Sequence, residues 1–100
     1  MEIIDILKRI EDASQIIKKQ FPSSKLTGTM ESIINQLDFI KNDLEKSQPF
    51  IPTANNADVE RIILGVQAIR EIEAQNEELS DLLCDIDYEY KKLYGISIMP

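Results

Sequence analysis

Apolar residues recur along this chain at steps of three and four, which is the spacing of one face of an α-helix. The first run predicts a helix over residues 2–20, with apolar positions at Ile3, Ile6, Leu7, Ile10, Ala13, Ile17 and Phe21. Pro22 comes directly after this run and should end the helix at about Gln20, because proline disfavours a helical conformation in the residue before it.

A second helix is predicted from Leu26 or Gly28 to Lys46. Its apolar positions form a narrow line of the kind that helices in bundles use. They are Leu26, Met30, Ile33, Leu37, Ile40 and Leu44. Phe39 lies off this line, and a single apolar residue on a surface is common in monomeric proteins.

The third predicted helix begins after Asn56, which is a good N-cap, and Asp58 in its first turn complements the helix dipole. Its predicted core positions are Val59, Ile62, Ile63, Val66, Ile69 and Ile72. Gly65 falls inside this helix, where glycine costs about 1 kcal/mol relative to alanine. We therefore expect another part of the molecule to approach the backbone of Gly65 closely.

Asn76 is the predicted N-cap of a fourth helix, which runs from residue 77 to about residue 94 and ends at Gly95 in a left-handed conformation. Four helices with short connections predict an all-α fold, an antiparallel four-helix bundle with a single domain over residues 1–100. The longest loop, residues 47–56, contains Phe50 and Ile51, which we expect to fold back onto the bundle. The apolar tail Ile96–Pro100 could pack across its end.

The composition is that of an ordinary globular protein, with 43% hydrophobic and 29% charged residues, and it is too apolar for a disordered chain. The start of the sequence lacks the features of a secretion signal, and no apolar stretch is long enough to span a membrane. A lone cysteine, Cys84, excludes an intramolecular disulfide. These features predict a cytoplasmic protein.

The formal net charge of −7 falls almost entirely in the second half of the chain. Residues 1–50 carry seven Lys or Arg against eight Asp or Glu, and residues 51–100 carry four against ten. The acidic charge therefore disfavours nucleic acids and anionic membranes as partners, because both attract basic surfaces. Histidine is absent, which removes the commonest general base and the commonest metal ligand.

On the fourth helix, five residues at steps of 3, 4, 3 and 1 fall along one side, which we call the acidic stripe. They are Glu78, Asp81, Asp85, Tyr88 and Glu89. The stripe faces away from the core positions Leu79, Leu82, Leu83, Ile86, Tyr90 and Leu93. A solvated surface is the plain interpretation of such a stripe, and binding of a basic partner is the functional one.

Two side chains near the stripe have opposite interpretations. Cys84 is interpreted as an unreactive packing residue, because no histidine can activate it and the nearby aspartates disfavour a thiolate. Tyr88 lies among the acids and is a candidate interface residue, whereas Tyr90 belongs to the core side of the same helix.

Between residues 33 and 90 the sequence also resembles a known family. The segments that carry the resemblance are Gln36-Leu37-Asp38-Phe39-Ile40, Leu64-Gly65-Val66-Gln67-Ala68-Ile69-Arg70-Glu71-Ile72 and Glu78-Leu79-Ser80, followed by Asp85 and Tyr88. In order and spacing they resemble the bacterial immunity proteins that neutralise type VI secretion toxins of the NAD(P)-glycohydrolase kind. The Leu-Gly-x-x-Ala-x-x-Glu core is the most specific part.

The resemblance implies an all-helical inhibitor for interbacterial competition, which is not an enzyme and needs no cofactor or metal. Such a protein binds its cognate effector toxin domain in the cytoplasm and blocks access of NAD⁺ or NADP⁺ to the active site. The acidic stripe is our predicted contact surface. Self-association is left open by the sequence.

Two alternatives remain open at this stage. One is a magnesium-dependent nucleotide pyrophosphohydrolase, for which Glu78, Asp81 and Asp85 would be the nearest ligands, although such sites need a second acidic pair on a facing helix. The other is an acidic antitoxin or adaptor for an unrelated basic protein.

Overall fold

The computed structural model describes residues 2–21, 28–46 and 56–96. Its helices are α1 (Ile3–Gln20), α2 (Gly28–Lys46), α3 (Asn56–Glu60), α4 (Leu64–Gln67), a π-helical turn that continues α4 (Ala68–Ile72) and α5 (Glu77–Leu93). Within these residues all regular structure is helical, so the predicted all-α bundle is confirmed. The predictions for Phe50, Ile51 and residues 97–100 lie outside the described residues.

Within the described residues the predicted core faces of the first two helices are confirmed, while the predicted core position Leu26 lies outside them. On α1 the buried residues are Ile3, Ile6, Ile10, Ala13 and Ile17, and on α2 the buried apolar residues are Met30, Ile33, Leu37, Ile40 and Leu44. Leu7 and Phe21 are partly buried against the same core. The helices begin and end close to the predicted positions because apolar spacing and the proline signal are local in sequence.

The two ends of α5 also follow the prediction. Asn76 caps the helix, with its Oδ1 accepting a hydrogen bond from the backbone N–H of Leu79 at 2.9 Å, and its Nδ2 donates to Oε1 of Gln20 at 2.8 Å. At the other end Gly95 has a φ of 70°, and the N–H of Ile96 reaches the carbonyl of Lys91 at 3.0 Å. This is a Schellman cap, which suits glycine.

The third helix departs from the prediction. Instead of one continuous helix, the chain leaves helical geometry at residues 61–63 and re-enters it at Leu64. The helix then widens, with the N–H of Glu73 bonded to the carbonyl of Ala68 at 2.8 Å, as in a π-turn. Ile63, Val66 and Ile69 are consequently exposed rather than buried, while Leu64 and Ala68 fill the core with Val59, Ile62 and Ile72.

Side chains from α2 and α5 hold this break in place. Oε1 of Gln36 accepts the N–H of Ile63 at 2.7 Å, and Nζ of Lys91 donates to the carbonyl of Ile62 at 2.5 Å. Oδ2 of Asp87 accepts the N–H of Gly65 at 2.8 Å. These bonds replace the backbone partners that a continuous helix would supply. Apolar spacing contains no information about them.

Gly65 therefore lies in the first turn of a short helix and not inside a long one, as the sequence had suggested. The expected close approach to its backbone is confirmed, although a carboxylate makes it. A Cβ at this position would lie 3.2 Å from Oδ2 of Asp87. That distance is shorter than an ordinary van der Waals contact, and the absence of a side chain lets the carboxylate reach the backbone.

A second buried carboxylate joins α2 to α5. Tyr90, fully buried, donates its hydroxyl proton to Oδ2 of Asp43 at 2.7 Å, and the hydroxyl of Tyr94 donates to the same oxygen. The two tyrosine rings meet edge to face with centroids 5.3 Å apart. Burial, followed by the hydrogen bond to Asp43, raises the pKa of Tyr90 far above its usual value, so the phenol stays a donor.

We expect Tyr90→Phe to destabilise the protein by about 1–3 kcal/mol, because the buried Asp43 loses one of its hydrogen-bond donors. The measurement is the free energy of unfolding in urea. Tyr88→Phe, the same substitution at an exposed position of the same helix, should change it by less than about 0.5 kcal/mol. Equal effects of the two substitutions would contradict the assigned role of Asp43.

Asp87→Asn should destabilise the protein more, by about 3 kcal/mol, since it leaves the largely buried ammonium of Lys91 without its counter-charge. Asp85→Asn is the matched control on the exposed side of α5, and we expect it to stay within about 0.5 kcal/mol of the wild type. Unfolding curves that place the two variants together would show that the Asp87–Lys91 pair does not hold the helix break.

Candidate partner-binding surface

The acidic stripe lies where the helical register predicted, on the outer side of α5. Glu78, Asp81, Asp85 and Tyr88 are exposed, and Glu89 is half-buried at the edge of the stripe. On the opposite side Leu79, Leu83, Ile86 and Tyr90 are buried, with Leu82 and Leu93 partly buried beside them. Four of the five stripe residues are therefore available to a partner without any rearrangement of the described structure.

Helix α1 borders this stripe, which sequence register could not show. A shallow groove of about 630 Å³ runs between the two helices. It is lined by Asp5, Lys8, Arg9, Asp12, Glu77, Glu78, Asp81, Leu82 and Asp85. The six carboxylates outnumber the two basic side chains, so the groove keeps the negative sign of the stripe.

Arg9 modifies this charge locally. Its Nε lies 3.9 Å from Oδ2 of Asp85, and both side chains are well exposed to solvent. Such a pair is worth little in water and can exchange partners readily. Asp85 is thus only weakly engaged by its own molecule.

Tyr88, near the C-terminal end of the stripe, lies beside Lys92, which is outside the stripe. The ammonium of Lys92 lies 6.0 Å from the centroid of the Tyr88 ring, at the limit of a cation–π contact. Half of the tyrosine surface remains open. The stripe therefore offers carboxylates along its length and an aromatic surface next to a positive charge near its end.

Cys84 separates the stripe from α4. Its side chain is partly buried, and Sγ lies 3.8 Å from the carbonyl oxygen of Gly65. Burial raises the pKa of the thiol, and the charges of Asp81, Asp87 and Asp85 raise it further. The interpretation of Cys84 as a packing residue with a protonated thiol is therefore supported.

The carboxylates of α5 do not assemble into a metal centre. Among the residues that the structure describes, no three Cys, Asp or Glu side chains converge as ligands. The buried carboxylate of Asp43 accepts hydrogen bonds from tyrosine hydroxyls. The buried carboxylate of Asp87 pairs with Lys91 and accepts the N–H of Gly65. None of the described helices combines the length and apolar character that crossing a membrane requires.

Two of the segments that carried the family resemblance meet in space. Nε2 of Gln36 on α2 donates to Oε1 of Gln67 on α4 at 2.7 Å, and Nε2 of Gln67 donates to Oγ of Ser32 at 3.2 Å. The backbone N–H of Gly65, in the same segment as Gln67, donates to Oδ2 of Asp87 on α5. Gln36, Gln67 and Gly65 of these segments thus help to fix α4 between α2 and α5.

Comparison with known proteins confirms the coarser part of the resemblance, the type VI secretion immunity family. The family model described as Tsi6 matches residues 5–92, most of the chain. No curated protein and no solved structure matches this chain. The chain therefore belongs to the Tsi6 family, which is a family of type VI secretion immunity proteins.

Proposed function

We propose that this protein is a cytoplasmic immunity protein, not itself an enzyme, that binds a cognate NAD(P)⁺-degrading type VI effector toxin and occludes its active site. The observation that carries the proposal is the family match over residues 5–92. An immunity family implies a toxin protein as partner. The occlusion mechanism and the NAD(P)⁺ specificity rest on physical argument and on the resemblance.

Charge supplies that physical argument. The diphosphate of NAD⁺ is negatively charged and NADP⁺ carries a further phosphate, so a pocket that binds this part tends to be basic and attracts an acidic surface. The exposed carboxylates of Glu78, Asp81 and Asp85 form such a surface on a rigid helix. A protein that covers the pocket in this way would bury about 800 Å² on each partner.

The stripe residues have different roles in this proposal. Glu78, Asp81 and Asp85 supply charge, and the weak pairing of Asp85 with Arg9 costs little to break. Tyr88 supplies a rigid apolar surface with a polar tip, as aromatic residues at interfaces often do. Glu89, half-buried at the edge, adds negative charge behind the exposed residues.

Co-expression tests the function directly. The toxin encoded beside this gene should stop growth and deplete cellular NAD⁺ when expressed alone, and this protein should restore both growth and the NAD⁺ level. An immunity protein for an unrelated toxin is the control. Depletion of NAD⁺ in cells that contain both proteins would contradict the proposal.

The role of the stripe is tested by a double charge reversal, Asp81→Lys with Asp85→Lys. We expect association with the toxin to slow by about tenfold at low salt, because electrostatic steering is lost, and the difference should shrink as salt is raised. Glu31→Lys with Asp38→Lys changes the net charge equally on exposed positions of α2. Stopped-flow rates that are equal for the two double variants would exclude the stripe from the interface.

A further inference from the structure

Three aliphatic residues of the broken third helix form a second exposed feature, which we call the apolar ridge. Ile63, Val66 and Ile69 are 44%, 51% and 62% exposed. They are spaced by three residues: Ile63 directly precedes α4, Val66 lies on α4 and Ile69 lies in its π-turn. Large aliphatic side chains at helical spacing are normally buried, and their joint exposure calls for an explanation.

The exposure of these three side chains follows from the break in the third helix. An unbroken helix could have turned these positions inward with Val59 and Ile72, as the sequence pattern predicted. Instead, Gln36, Lys91 and Asp87 bind the backbone at residues 62–65 and fix the rotated geometry. Burying the Asp87–Lys91 pair carries a desolvation penalty that an apolar contact would not.

The part of the chain that carries the ridge packs against α5, the helix that carries the acidic stripe. Gly65 contacts Asp87 and Cys84 of α5, which are the residues one and four places before Tyr88. Helix α4 therefore packs along the side of α5 that carries these two residues, and the side chains of the ridge stay exposed. The two features belong to one packed pair of helices.

We infer that the apolar ridge is the affinity-determining part of the toxin-binding surface, and that it docks into an apolar cleft whose rim is basic and faces the acidic stripe. This inference rests on the proposed function. The ridge would supply buried apolar contact, and the stripe would supply orientation and speed of association. A second copy of this chain fits less well, since each copy carries a formal net charge of −7 and a stripe of carboxylates on the helix that packs against α4.

The decisive variant is Val66→Ser with Ile69→Ser, measured by surface plasmon resonance against the purified toxin encoded beside this gene. We expect the dissociation constant to rise by about tenfold or more, mainly through faster dissociation and equally at low and high salt. Ile4→Ser is the control, because Ile4 is also an exposed aliphatic residue, at 67%, but lines the groove between α1 and α2. Its affinity should match the wild type.

Circular dichroism and thermal unfolding establish that the double variant is folded. If it is not, the single substitution Ile69→Arg at the most exposed ridge position replaces it. Unchanged affinity of the folded ridge variant, or an equal loss in Ile4→Ser, would overturn the inference while the proposed function stands. A wild-type protein that does not bind the toxin would overturn both.

Analytical ultracentrifugation of the protein alone tests the alternative that a second copy of the chain covers the ridge. We expect a monomer whose state does not depend on the ridge substitutions. A dimer that Val66→Ser with Ile69→Ser converts to a monomer would show that a second copy covers the ridge, and would overturn its assignment to the toxin.

Discussion

Asp87 and Lys91 lie one turn apart on α5 and form an ion pair, and each of them also bonds to the backbone of the segment before α4 or at its start. The carboxylate accepts the N–H of Gly65, and the ammonium donates to the carbonyl of Ile62. A break in a helix leaves backbone N–H and carbonyl groups without helical partners, and these groups must find hydrogen bonds elsewhere. Charged groups make strong hydrogen bonds, so this pair can hold the backbone in a conformation that local propensity does not favour. The course of α4 and the outward direction of its aliphatic side chains depend on it.

Most of the fold could be predicted from the sequence because its determinants are local. The apolar line of α2, the cap at Asn76 and the left-handed Gly95 are each defined by neighbours within a turn or two. The third helix could not, because its determinants are distant: Gln36 lies 27 residues before Ile63 and Asp87 lies 22 residues after Gly65. One signal was available, since Asp87 falls on the core side of α5 by register.

The candidate surface divides in the same way. Register along α5 was sufficient to predict that Asp81, Asp85 and Tyr88 are exposed. It could not show that α1 borders the stripe with Lys8 and Arg9, because a periodic pattern does not state which helices are neighbours. The family to which the chain belongs indicates a toxin protein as partner, and the structure shows exposed carboxylates on α5 and exposed aliphatic side chains on and beside α4.

The amide protons of Ile63 and Gly65 are bonded to side chains of other helices rather than to carbonyls of their own. Their exchange with solvent deuterium is therefore governed by the withdrawal of α2 in one case and of α5 in the other, not by fraying of a helix end. Two neighbouring amides thus act as separate reporters of how firmly each flanking helix is docked. The backbone on both sides of Leu64 is thus held by side chains of the two flanking helices.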